Sequence, residues 1–122
     1  MIADVVVQKI AGLAAREVTG VYRLGGGAAR AFGAVVERIP GARPSVGQGV
    51  TVEVGERQAA IDLDLVVEYG VEIGELTRAI RSNVINSIER MTSLQVTEVN
   101  IAVDDIHLPG DDDGVSEQAR VE

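Results

Sequence analysis

Three carboxylates stand among large aliphatics in IDLDLVVEYG, residues 61–70: Asp62, Asp64 and Glu68. Alternation of this kind marks a β-strand. Ile61, Leu63, Leu65, Val67 and Tyr69 fall on one side, and Asp62, Asp64, Val66 and Glu68 on the other. Two strand rises separate the α-carbons of Asp62 and Asp64 by about 6.6 Å. Paired glycosidase carboxyls span roughly 5–9.5 Å, so spacing alone permits acid–base chemistry. A general acid also needs a raised pKa, which burial normally supplies. These acids lie opposite the expected core, and Tyr22, Phe32 and Tyr69 are the only Phe or Tyr residues, with no Trp. The run therefore reads as a solvated polar face. A partner-binding face is the functional alternative, and a carboxylate-dependent hydrolase a third.

Other chemistries lack their residues. With no cysteine, thiolate catalysis, disulfides and Cys-type zinc sites are excluded. His107 is the single histidine, so one imidazole base exists at most, and no serine sits in a nucleophile-elbow context. The segment DDIHLPGDDDG, residues 104–114, has calcium-ligand residue types. Placing Gly110 or Gly114 at the sixth loop position puts Pro109 on a ligand position, however. The glycines at 25–27 precede no Gly-Lys-Ser/Thr, so no phosphate loop is present. No two glycines are spaced by three, which removes the clamp of a KH-like RNA module. No catalytic residue, cofactor or metal is expected.

Charge narrows the partners. The net charge is −8, and residues 104–122 hold seven acids against Arg120 alone. Residues 1–103 hold 12 acids against 10 bases. Nothing here clusters Lys and Arg as nucleic-acid binding requires. No apolar stretch approaches the roughly 20 residues of a membrane span, and Asp4 stands where a signal peptide would be basic. A cytoplasmic protein is expected, without direct membrane insertion.

The elements that must position the acids can be read in order. Residues 4–18 predict a helix with Asp4 as N-cap, a stripe of Val6, Ile10, Leu13, Ala14 and Val18, and Gly20 as its stop. Residues 21–24 predict a short strand. Residues 25–49, with seven glycines and two prolines, form a long loop that could hold a short helix around Phe32. Residues 50–54 and 59–69 alternate as a hairpin across Gly55–Gln58. Residues 72–92 predict the strongest helix, striped by Ile73, Leu76, Ile80, Val84, Ile88 and Met91. Residues 95–106 predict a last strand. Val96 is out of phase with Val99, Ile101 and Val103, so a bulge or late start is expected near Thr97. The fold class is α+β, with two helices on one face of a small, mainly antiparallel sheet of three to four strands. Residues 1–109 make one domain and 110–122 a disordered acidic tail.

Three passages then come together in a recognisable order: KIAGLAAREVTGV, QAAIDLDLVVEYGVEIGELTRAIRSNVINSIERMTSL and VTEVNIAVDDI. Over residues 2–108 they resemble the alkaline shock protein family, the Gls general-stress family of Gram-positive bacteria. The acid–aliphatic strand running into EYG and the EVN-containing last strand are the most specific marks. The resemblance implies a small cytoplasmic protein without known enzymatic activity, linked to cell-envelope homeostasis and stress. It also implies self-association and, for some members, attachment to the membrane through a separate anchoring protein. Gly74 departs from the family, which often opens this helix with proline; a looser helix start is expected. The loop 25–49 is longer and richer in glycine than the core pattern suggests.

The function expected is a non-catalytic protein-interaction module supporting the envelope. The alternative is a regulatory partner of a cytoplasmic metabolic enzyme, for example in fatty-acid synthesis. The candidate partner surface is the open sheet face: Asp62, Asp64, Val66 and Glu68 with Glu98, Asn100 and Ala102, beside Glu53. It would meet another copy or an Arg-bearing partner, and Asp64→Arg with Glu68→Arg is expected to weaken association while the fold survives.

Overall fold

A computed structural model describes residues 1–25, 45–47 and 49–110, and switches between periods of 2 and 3.6 residues divide these described residues into seven elements. They are α1 (Asp4–Arg16), β1 (Val21–Leu24), β2 (Ser45–Gly47), β3 (Val50–Val54), β4 (Gln58–Glu68), α2 (Ile73–Thr92) and β5 (Gln95–His107). The expectations for a helix around Phe32 and for a disordered tail fall on residues 26–44 and 111–122, outside the described residues.

β4 is the axis of a five-stranded sheet. On one edge β5 pairs with it in parallel from Gln58↔Gln95 to Glu68↔His107. The other edge is shared: β3 pairs antiparallel with residues 59–63, and β1 antiparallel with residues 65–67. β2 extends the sheet beyond β3 as an antiparallel hairpin, a strand that the glycine-rich sequence of 25–49 had concealed. The α+β class and the mainly antiparallel pairing hold; the exception is β4–β5, whose parallel match needs a crossover, supplied by α2.

The two pieces on the shared edge meet at Asp64. Its N–H donates to the Gly49 carbonyl at 2.9 Å, and its carbonyl accepts from the Gly25 N–H at 2.6 Å. Gly49 has φ +86°, and a Cβ there would lie 2.9 Å from the Asp64 carbonyl oxygen and collide with the Gly25 backbone. Only glycine fits that junction.

The helices cover the inner face, where Ile61, Leu63, Leu65 and Val67 of β4 are fully buried among Val7, Val52, Ile80, Val84 and Ile88. α2 buries Leu76, Ile80, Val84 and Ile88 as expected, but its terminal stripe residues Ile73 and Met91 are exposed. α1 is rotated from its predicted stripe. It buries Val7, Ile10, Ala11, Gly12, Ala14 and Ala15, leaving Val6 and Leu13 exposed. Small residues let the helix come close: a Cβ on Gly12 would meet Leu24 at 3.5 Å and Val50 at 3.7 Å. Close backbone approach, and not side-chain bulk, selects the buried side.

The caps also differ from the sequence reading. Ala3 is the N-cap of α1, and Asp4 lies in the first turn, where its charge suits the helix dipole. Gly20, at φ +112°, shapes the turn into β1 after the helix has ended at Arg16. The start of α2 is not loose at Gly74, because the Glu72 carboxylate accepts from the Glu75 N–H at 2.7 Å. Glu72 thus satisfies a backbone donor that a helix start otherwise leaves orphaned.

β5 carries two bulges. The pairing steps from Ala59↔Val96 to Ala60↔Glu98, which makes Thr97 the extra residue, as the phase break at Val96 predicted. It steps again from Leu65↔Val103 to Val66↔Asp105, which makes Asp104 a second extra residue.

Candidate functional site

Register brings the sequence-predicted acids together on the sheet face opposite the helices. Asp62 of β4 sits between Thr51 of β3 and Asn100 of β5, Asp64 lies beside Ala102, and Ala60 lies between Glu53 and Glu98. Asn100 ties the strands together: its amide donates to Asp62 Oδ1 at 3.0 Å and to Glu98 Oε2 at 2.6 Å.

The face is not the solvated surface that alternation suggested. Asp62 is 2% exposed, Asp64 3% and Glu53 0%. Val66, expected to interrupt an open face, is also buried. The physical reason begins with position. β4 is a central strand with neighbours on both edges, so its outward side chains are flanked on each side by those of β3, β1 and β5. At its C-terminal end the Tyr22 ring of β1 stacks on the His107 ring of β5, with centroids 3.8 Å apart and planes 4° from parallel. These rings come from the two strands that flank β4, so the stack bridges over it. His107 Nδ1 lies 3.1 Å from Glu68 Oε1, which anchors the bridge to β4 itself. The aromatic lid was not read from the sequence; the available signal was a tyrosine and a histidine at corresponding ends of two strands.

The predicted surface therefore divides. Asp62, Asp64 and Val66 are buried, Glu68 is half-buried, and on β5 Asn100 is exposed with Glu98 and Ala102 half-buried. In the Asp64→Arg, Glu68→Arg variant the guanidinium at position 64 would start from a site only 3% exposed, so a cost in stability is expected from it. Within the closed part, Asp62 and Glu53 have polar partners, whereas Asp64 Oδ1 is buried with no hydrogen-bond partner. An oxygen left so is a cost to the fold, of about 1–3 kcal/mol for a typical buried polar group.

Neither of two surface hollows touches Asp62 or Asp64. One, of about 460 Å³, is lined by Ile73, Val103, Asp104, Asp105, Ile106 and Leu108. The other, of about 300 Å³, lies along α2 at Arg78, Arg81, Ser82, Ile85 and Asn86. Among the described residues no three His, Cys, Asp or Glu side chains are grouped as a metal ion would require. No helix of the described residues is long and apolar enough to cross a membrane.

What these features define is a small α+β domain whose polar strand residues serve largely as internal structure, with one open flank along β5. The chain belongs to the alkaline shock protein 23 family, described as having a cell envelope-related function, whose model matches residues 1–108. It is 41% identical over 103 residues to a stress response regulator gls24 homolog of Streptococcus pyogenes, covering 84% of this chain and 55% of that protein. It is 36% identical over 102 residues to the uncharacterized protein YqhY of Bacillus subtilis, covering 84% of this chain and 72% of that one. The chain thus spans about half the length of the streptococcal relatives it matches. No solved structure matches at a significant level. The resemblance to the alkaline shock and Gls family read from the three sequence passages is borne out.

Proposed function

We propose that this chain is a non-catalytic protein-interaction module acting in envelope maintenance under stress. It would be held at the cytoplasmic side of the membrane through a protein partner. The observation that carries the reading is the division of the outer sheet face. Asp62 and Asp64, though buried as a general acid would be, are reached by neither surface hollow, so neither hollow gives a substrate access to them, while the β5 flank offers acids, an amide and aliphatic side chains to a partner. The family's cell envelope-related description and the stress-regulator name of the streptococcal relative support the same direction.

Self-association is a second use of such a surface, and the same experiment reads it. The full chain, tagged in its native cell, is purified after cross-linking and its partners are quantified, with light scattering of the pure protein alongside. The expected result is enrichment of a membrane protein and an envelope defect on deletion. A chain that fractionates without membrane protein, and whose deletion leaves the envelope intact, would overturn the reading.

A further inference from the structure

β5 is 13 residues long and, among the described residues, pairs with β4 alone, so its other edge is an unfilled row of backbone donors and acceptors. Such edges attract strands, and proteins usually blunt them. This one is blunted toward both ends. The Val96 N–H donates to Glu89 Oε2 at 3.0 Å, and the Val99 carbonyl accepts from Arg81 Nε at 3.1 Å. At the far end the Ile106 N–H donates to Asp105 Oδ1 at 2.8 Å. Alternate residues of a strand turn their backbone groups to the same side, so Ile101 and Val103 face the same edge as Val99. Among the described residues no side chain caps either of them.

The unblunted stretch runs into the 460 Å³ hollow between the start of α2 and the end of β5. Beside Asp104 and Asp105, its walls are aliphatic and open: Ile73 is 38% exposed, Ile106 39% and Leu108 46%. The bulge at Asp104 turns that residue out of step with the ladder, and its Oδ2 is buried with no hydrogen-bond partner. Bulges commonly re-aim a side chain in this way. Asp104 as a whole is only half-buried and lines the hollow, so a cationic donor carried on an apolar stem can reach its carboxylate from outside.

We infer that the β5 edge beyond the Val99 carbonyl, at Ile101 and Val103, takes up an extended segment of a protein partner as an added strand. An aliphatic side chain of that segment fills the Ile73–Ile106–Leu108 hollow, and a neighbouring Lys or Arg reaches Asp104. Main-chain pairing supplies affinity in this mode of recognition and the pocket supplies specificity. Charge argues for a basic partner segment over a second copy. A two-fold pairing of β5 edges is antiparallel, so about Ile101 it sets each chain's Asp104 opposite the other's Glu98, acid against acid, and the chain carries a net charge of −8. The inference rests on the interaction-module reading above and specifies its surface.

The test uses the full chain, labelled for amide-detected NMR, and three blocked heptapeptides. One is acetyl-Thr-Val-Lys-Ile-Arg-Val-Thr-amide. The second replaces its Lys and Arg by Glu, and the third replaces its central Ile by Pro. The expected result is that the first peptide alone shifts the amides of Ile101 and Val103 and the signals of Ile73 and Ile106. Asp104→Asn, with an otherwise native amide spectrum, should weaken it at least tenfold. Equal binding of all three peptides, shifts confined to another surface, or unchanged affinity in Asp104→Asn would overturn the inference. So would concentration-dependent shifts at these amides with no peptide present, which would assign the edge to a second copy. A deletion strain separates the two levels of the reading. Deletion that harms the envelope together with absent peptide binding overturns this surface alone. Peptide binding with no envelope defect on deletion overturns the proposed function alone.

Discussion

The outer sheet face has two halves that look alike in sequence and differ in the fold. On β4, Asp62 and Asp64 alternate with aliphatics and are buried; on β5, Glu98, Asn100 and Ala102 alternate with aliphatics and remain partly or fully open. Alternation assigns a residue to a face, but the strand's place in the sheet decides how much water that face retains. A central strand is hemmed in by neighbours on both sides, and an edge strand on one. The carboxylates with catalytic spacing fell on the central strand, so their burial belongs to the architecture.

Substituting matched residues on the two halves should break this comparison most visibly. Asp64→Arg is expected to lose about 3 kcal/mol or more, because an unpaired charge must be accommodated in a closed site. Ala102→Arg, at its half-buried neighbour on β5, should change stability by roughly 0.5 kcal/mol at most. Urea unfolding midpoints of the two variants decide the matter, and equal losses would erase the distinction.

Gly49→Ala tests what holds the closed half together. The added methyl collides with the Gly25 backbone and the residue must keep φ +86°. A loss of about 2–3 kcal/mol is expected from strain and overpacking. Calorimetry would read it as a lowered Tm, and an unchanged Tm would mean that the junction at Asp64 can relax. Asn100→Ala removes the link between the halves. Asp62 and Glu98 each lose one donor, and about 1–2 kcal/mol should go with them. Asp64→Val sharpens the comparison in the opposite direction. Replacing a buried carboxylate that has an unpartnered oxygen by an aliphatic of similar size should raise stability by about 1 kcal/mol. A loss in that variant would show that the Asp64 charge is held by something the fold needs.

Much of the fold was legible because period and length are local properties. The β4 alternation, the α2 stripe and the phase break that marks Thr97 all appear within short windows. The α1 stripe was misread because a helix that packs through Gly12 and alanines buries its least hydrophobic-looking side. β2 was hidden because three residues among glycines carry no pattern. The candidate site was half legible. Asp62 and Asn100 were placed on one face correctly, but the burial of Asp62 and the exposure of Asn100 depend on pairings between residues nearly forty positions apart. The Tyr22–His107 stack depends on a longer separation still, and no window of sequence contains both rings.

The shared edge of β4 has a consequence for how this domain can vary. β1 ends at Leu24 and β2 begins at Ser45, yet Gly25 and Gly49 both bond to the same residue, Asp64. The chain leaves one strand edge and returns to it at the point of departure, so the number of residues spent in between does not alter the register of any strand. Doubling the length of such an excursion costs only about 0.6 kcal/mol in closure entropy. Insertions and deletions should accumulate there first, and a foreign peptide grafted between 25 and 45 should leave the β4–α2–β5 unit undisturbed. The junction at Asp64 is thus a natural splice point, where new sequence can enter the family's domain without renegotiating its core.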